Sequence, residues 1–89
     1  MSDINEILIQ KKIGFFIKKA RVNKSLTGYQ LGKLLNVSQQ QVSRYENGLT
    51  SIDVNRLNLI LKILDKTWDE FLWDVIKNED SLDEHFILF

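Results

Sequence analysis

Residues 36–48 read NVSQQQVSRYENG. Asn36 suits the left-handed conformation of a tight helix end better than most residues do. Ser38 follows two positions later and can cap a new helix, with Gln41 at the reciprocal capping position. A helix from about residue 38 to 46 then carries two faces. Val42 and Tyr45 recur at helical spacing and join Val37 in an apolar stripe. Gln39, Gln40, Ser43 and Arg44 fall on the other side, with no acid among them. Gly48 stops the helix. A segment this short is not stable alone in water, so its neighbours must hold it.

Working backwards, Thr27-Gly28-Tyr29-Gln30 fits a capping box and opens a helix whose Leu31, Leu34 and Leu35 face inward. Gly32 lies within that helix, where it costs about 1 kcal/mol relative to alanine; a second helix crossing close by would explain it. Residues 4–22 read as the first helix. Ile13, Phe16, Ile17 and Ala20 mark its core face, whereas Ile4, Leu8 and Phe15 form a second apolar stripe that the domain alone leaves open. Lys18, Lys19 and Lys24 gather near the helix end, where cations suit the macrodipole.

Working forwards, Thr50, Ser51 and Ile52 form a loop, and Asp53 caps a fourth helix with a stripe of Leu57, Ile60, Leu61 and Leu64. Asp65-Lys66 is a short break. Thr67-Trp68-Asp69-Glu70 is another capping box and opens a fifth helix. Trp68, Phe71, Leu72, Val75 and Ile76 share one of its faces, and Trp73 points away. The chain closes on SLDEHFILF. Its apolar run Phe86-Ile87-Leu88-Phe89 would be an aggregation hazard if left bare.

Eighty-nine residues make a single domain, 1–89. A chain of this size buries only about 60% of its unfolded surface, so self-association is a natural source of added stability. Cysteine is absent, which removes disulfides and thiolate metal sites. The one histidine, His85, lacks a partner acid or nucleophile at any useful spacing and reads as a surface or interface residue. Asp80, Asp83 and Glu84 read as a solvated tail. No catalytic constellation, metal cluster or phosphate-cradling glycine loop stands out, so neither an enzyme nor a cofactor is expected. No apolar run approaches the roughly 18 residues a membrane span needs, and the acidic start does not resemble a secretory signal. A cytoplasmic protein, nucleoid-associated when at work, is the expectation.

The net charge is zero, but its distribution is not even. Residues 11–62 carry ten Lys or Arg against only Glu46 and Asp53, and residues 65–89 carry eight acids against Lys66 and Lys77. A basic body suggests a polyanionic partner. Randomly scattered charge on a helical protein is the plain alternative.

These stretches together, IGFFIKKAR at 13–21, LTGYQLGKLLNVSQQQVSRYENG at 26–48 and LNLILKILDKTWDEFL at 57–72, resemble the Cro/C1-type helix-turn-helix family of phage repressors and bacterial regulators. The resemblance covers about residues 13–72, with the helix-turn-helix at 27–46. It implies an all-α, five-helix, lambda-repressor-like domain that regulates transcription by binding double-stranded DNA, with helix 38–46 in the major groove. Gln39 and Gln40 then read base edges, since an amide can bond adenine N6 and N7 together. Arg44 forks onto guanine or contacts a phosphate, and Ser43 can take either role. A solvated polar face is the alternative for all four. Arg21 and Glu46 match positions that pair between helices one and three in the family; two independent surface charges are the alternative. Asn47, Thr50 and Ser51 match the family's phosphate-contacting loop. One departure is Gly28, where the family usually places a phosphate-binding glutamine.

A single short recognition helix reads only a few base pairs, so a homodimer that doubles the site is expected. Here residues 67–89 are the expected dimerisation region, with Phe15, Trp73, Phe86, Ile87, Leu88 and Phe89 as candidates because they lie off the main core stripes. The string SQQQVSRYE also resembles small regulators encoded with bacterial fimbrial operons, some of which repress motility genes. A different class of function stays open: a protein-binding module such as an antitoxin, whose apolar tail captures a partner.

Overall fold

A computed structural model describes residues 4–77. Five α-helices follow one another: α1 (Ile4–Asn23), α2 (Gly28–Leu35), α3 (Gln39–Glu46), α4 (Val54–Ile63) and α5 (Trp68–Leu72), the last running on into a π-helical turn at Trp73–Lys77. There is no strand among the described residues. None of these helices is long and apolar enough to cross a membrane.

Short side chains at the expected positions set the helix starts. Thr27 and Thr67 each close a full capping box, with Gln30 and Glu70 returning the bond. Asp53 caps α4 through the Arg56 amide at 2.8 Å. Ser38 accepts from the Gln41 amide at 3.0 Å, so α3 is capped by this single bond. The Thr67 amide, first of all, holds the Glu70 carboxyl below the usual carboxylate range, with Lys66 adding to it. That support is present above the ordinary carboxylate value and is lost as pH falls through the lowered one. With no proline in the chain, left-handed residues make the helix exits: Ser25, Asn36 and Asp65 all have φ near +60°, at 60°, 59° and 57°.

The core gathers one stripe from each helix. Phe16, Ile17 and Ala20 of α1 meet Leu31 and Leu35 of α2, and Val42 and Tyr45 of α3 close over them. Leu57, Ile60, Leu61 and Leu64 fill the floor, and Phe71 stacks edge-on against Phe16 with ring centroids 5.3 Å apart. Ile13 and Val37 pack at the margin. Every buried side-chain polar atom among the described residues has a hydrogen-bond partner.

Three expectations need correction. Leu34 does not face inward: it is 56% exposed, because eight residues of α2 present only one narrow stripe, and Leu31 and Leu35 occupy it. Leu72 and Ile76 are also outside the core, at 46% and 50% exposure. Only Phe71 and Val75, four residues apart, are buried there, so this segment presents one narrow stripe and Leu72 and Ile76 fall on its flank. Trp68 stays on the rim, edge-on to Phe71 and donating from its indole to Asn58 Oδ1 at 3.0 Å. Finally, no crossing helix explains Gly32. A Cβ there would lie 2.8 Å from the Val37 carbonyl oxygen, so it is the turn itself that folds back onto α2.

Of the apolar residues outside the core stripes, Ile4 and Trp73 are largely exposed, and Leu8 and Phe15 are half-buried. Phe86, Ile87, Leu88, Phe89 and His85 lie outside the described residues.

Candidate nucleic-acid interface

The turn between α2 and α3 is built from backbone bonds. The Asn36 amide donates to the Lys33 carbonyl at 3.2 Å and the Val37 amide to the Gly32 carbonyl at 2.9 Å. This is the Schellman closure of a helix ending on a left-handed residue. A further tie comes from α4: Arg56 Nη1 donates to the Leu35 carbonyl at 2.8 Å, satisfying an oxygen that the end of α2 would leave open. The sequence carried no sign of that bond, since nothing in the spacing of Arg56 points to a carbonyl twenty-one residues away.

α3 hangs from this turn with its two faces sharply divided. Val42 is 1% exposed and Tyr45 8%. Gln39, Gln40, Ser43 and Arg44 are all exposed. Gln39, Gln40 and Arg44 make no side-chain hydrogen bond or ion pair with any described residue, so their polar groups are available to a ligand. Ser43 is partly engaged: Asn47 Nδ2 donates to its Oγ at 3.1 Å and to its carbonyl at 2.9 Å. Asn47 is therefore occupied at the helix end, although its side chain remains exposed. Thr50 is half-buried and Ser51 exposed in the following loop.

Three contacts with α1 fix the far end of α3. Arg21 forks onto Glu46, with Nε to Oε2 at 2.6 Å and Nη2 to Oε1 at 3.0 Å. Its Nη1 donates to the Leu26 carbonyl at 2.8 Å. The two side chains are only 14% and 6% exposed. The hydrogen bond to Glu46 holds the Arg21 pKa above the ordinary arginine value, against the opposing effect of burial. Stability from a raised pKa is complete below the unfolded value and is lost only above it. The arginine side of this clamp is thus intact throughout the ordinary pH range.

Gly14 is the second contact, and sequence reasoning passed over it. A Cβ at this position would fall 2.4 Å from the Tyr45 carbonyl oxygen and 2.5 Å from that of Glu46. α1 and the end of α3 touch backbone to backbone there. The signal was available, since a glycine inside a long helical run carries the same cost that singled out Gly32. Gly48 is the third. Its φ is +68°, and a Cβ would lie 2.8 Å from the Lys11 backbone.

This geometry, a capped helix presented on a tight left-handed turn and clamped from behind, defines a helix-turn-helix domain. Comparison with known proteins agrees, and the chain belongs to the helix-turn-helix family, whose pattern matches residues 17–71. It is similar to an uncharacterized HTH-type transcriptional regulator of Rickettsia conorii, at 39% identity over 67 residues, covering 72% of this chain and 54% of the relative. It is likewise similar to an uncharacterized HTH-type transcriptional regulator of Rickettsia prowazekii, at 38% identity over 69 residues, covering 75% and 53%. The chain spans about half the length of these relatives.

Proposed function

We propose that this domain is a sequence-specific, DNA-binding transcriptional regulator that places α3 in the major groove. One observation carries the reading. The only helix face that combines unpartnered amides and a guanidinium belongs, among the described residues, to the helix clamped from behind by the Arg21–Glu46 fork and the close approach at Gly14. Gln39 and Gln40 are the base readers. Arg44, one turn further on, reads guanine or holds a phosphate, and Ser43 supports either contact. Thr50 and Ser51, with Asn47, approach the backbone. Site selection from random DNA with the purified protein tests this. Enrichment of a defined half-site supports it, and recovery of unenriched sequence overturns it.

Replacing Gln39 or Gln40 with alanine should cost about 1–3 kcal/mol on the selected site. The loss on random duplex should be much smaller. Equal losses on the two DNAs would remove base reading from these residues.

One short recognition helix reads few base pairs, and a homodimer doubles the site, placing two copies of α3 about 34 Å apart. The proposed interface joins residues 67–89 to Phe15, with Trp73, 62% exposed, at its described edge. Deletion of residues 81–89 should shift the protein toward monomer in sedimentation velocity. A truncated chain that stays dimeric at low concentration would place the interface elsewhere. Fimbrial or motility genes as targets rest on the SQQQVSRYE string alone.

A second reading, capture of a protein partner, draws on the exposed Leu72, Trp73 and Ile76. It predicts a stoichiometric heterologous complex in place of the homodimer.

A further inference from the structure

One face of α1 lies outside the core. Ile4, Leu8, Phe15 and Val22 recur along it at helical spacing. Ile4 and Val22 are largely exposed, and Leu8 and Phe15 are half-buried. Single exposed apolar side chains are ordinary on a small domain, but a continuous patch rimmed by charge marks a contact surface. The C-terminal half of this face is such a patch. Phe15, Lys18, Lys19, Val22 and Asn23 enclose a depression of about 250 Å³ whose walls are almost entirely carbon. That is below the roughly 300–1,000 Å³ of a small-molecule site, and it suits apolar side chains from a chain segment.

Two cations stand at the rim. Lys19 is engaged, since its ammonium pairs with Asp74 at 3.5 Å and sits 5.7 Å from the centre of the Phe15 ring. Lys18 is exposed and makes no ion pair or hydrogen bond with any described residue. The Lys19–Asp74 pair also shows where the chain arrives. It holds the π-helical turn beside the depression, three residues before the described structure stops at Lys77.

Residues 78–89 follow, reading NEDSLDEHFILF. They carry Glu79, Asp80, Asp83 and Glu84 with no Lys or Arg, and then four apolar residues in a row. The acids complement the two lysines, and the apolar run complements the carbon-walled depression. The reach is ample. Phe86 lies nine residues beyond Lys77, which can span about 30 Å when extended. The domain itself measures 32 Å along its longest axis.

We infer that residues 86–89 seat in this depression on their own chain, with the acids of 79–84 alongside Lys18 and Lys19. The short tether favours the chain's own tail over that of a second copy, because it holds the segment at an effective concentration of about millimolar. The lysine stems border the apolar patch while their ammonium heads face the acids. This seat does not depend on the DNA-binding reading. A tail held there makes one surface with Phe15 inside each protomer, the surface proposed above to meet a second copy.

The chain has no cysteine, so His85→Cys gives a single site for a nitroxide label. Amide spectra of the full-length, isotope-labelled protein carrying this label are compared before and after the nitroxide is reduced. An excess of unlabelled wild-type protein isolates contacts made within one chain. Under that condition the signals of Phe15 and Lys18 should be lost while the nitroxide is active. Val22→Glu, which puts an acid in the exposed wall of the depression, should restore them, and Val22→Ile should not. Thermal melts check that both variants stay folded. Signals that survive beside the active label, or a loss that Val22→Glu leaves unchanged, would overturn the seat. A loss that disappears on dilution with unlabelled protein would overturn it as well, by placing the tail on a second copy.

Discussion

Replacing Glu46 with alanine should cost the domain about 3 kcal/mol, the lower end of the range for removing one partner of a buried ion pair. The lower end applies because Arg21 keeps its bond to the Leu26 carbonyl and is 14% exposed, so some water can reach the stranded guanidinium. In a domain of this size the loss should lower the melting temperature by roughly 12–24 °C. DNA affinity should also fall, since the clamped end of α3 would be released from α1. A double variant separates the pair from its surroundings. With Arg21→Met and Glu46→Leu together, both charges are gone and much of the stability should return, as it often does when apolar side chains replace a buried pair. Urea and thermal denaturation of the three proteins check this. A Glu46→Ala protein that melts within a few degrees of wild type would show that the contact holds little.

Gly14→Ala should be comparably damaging, at about 3 kcal/mol, near the top of the usual range for overpacking. The added methyl would lie 2.4 Å from the Tyr45 carbonyl oxygen and 2.5 Å from that of Glu46. These are backbone atoms, so no rotamer change can make room. α1 and α3 must separate, and separating them also stretches the Arg21–Glu46 fork. Gly28→Ala is the matched control. Its methyl would meet Gln39 Cγ at 3.6 Å and Val42 Cγ1 at 4.0 Å, both ordinary van der Waals contacts, and a helix-compatible glycine replaced by alanine gains about 0.4–1 kcal/mol from the unfolded chain. The two variants should therefore move stability in opposite directions in the same denaturation experiment. If Gly14→Ala were as stable as Gly28→Ala, the close approach of α1 to α3 would be wrong.

Local chemistry made most of the fold legible in the sequence. The helix starts follow from Thr27, Ser38, Asp53 and Thr67, whose side chains bond amides only three residues on, and the turn follows from Asn36. The core stripes of α1 and α4 follow from periodicity over many residues, where one misplaced position matters little. Reading failed where the pattern was short. Leu34 sat in an eight-residue helix with too little repetition to separate face from flank. Leu72, the last residue of α5, and Ile76, within the π turn, flank a buried stripe of only two residues, Phe71 and Val75. At the site, the positions of Gln39, Gln40 and Arg44 could be read from the helical wheel, because exposure is the complement of the apolar stripe. The support behind them was less visible. The Arg21–Glu46 contact spans 25 residues and rested on resemblance. Gly14 and Arg56 act on backbone atoms of distant segments: the glycine itself was a visible sign, but not of its partner, and nothing in the spacing marked Arg56.

The division of α3 into two faces has a consequence for how such a protein can change over time. Val42, Tyr45 and Glu46 carry the side-chain contacts that hold the back of the helix, and the side chains of Gln39, Gln40 and Arg44 make no hydrogen bond or ion pair with any described residue. Substitutions at exposed positions without structural contacts usually stay within about 0.5 kcal/mol. On the proposed reading, target preference and foldability are thus written in different residues of one eight-residue helix. If those three side chains read the operator as proposed, a lineage built on this scaffold is free to drift from one operator to another by exchanging them, without passing through a form that fails to fold.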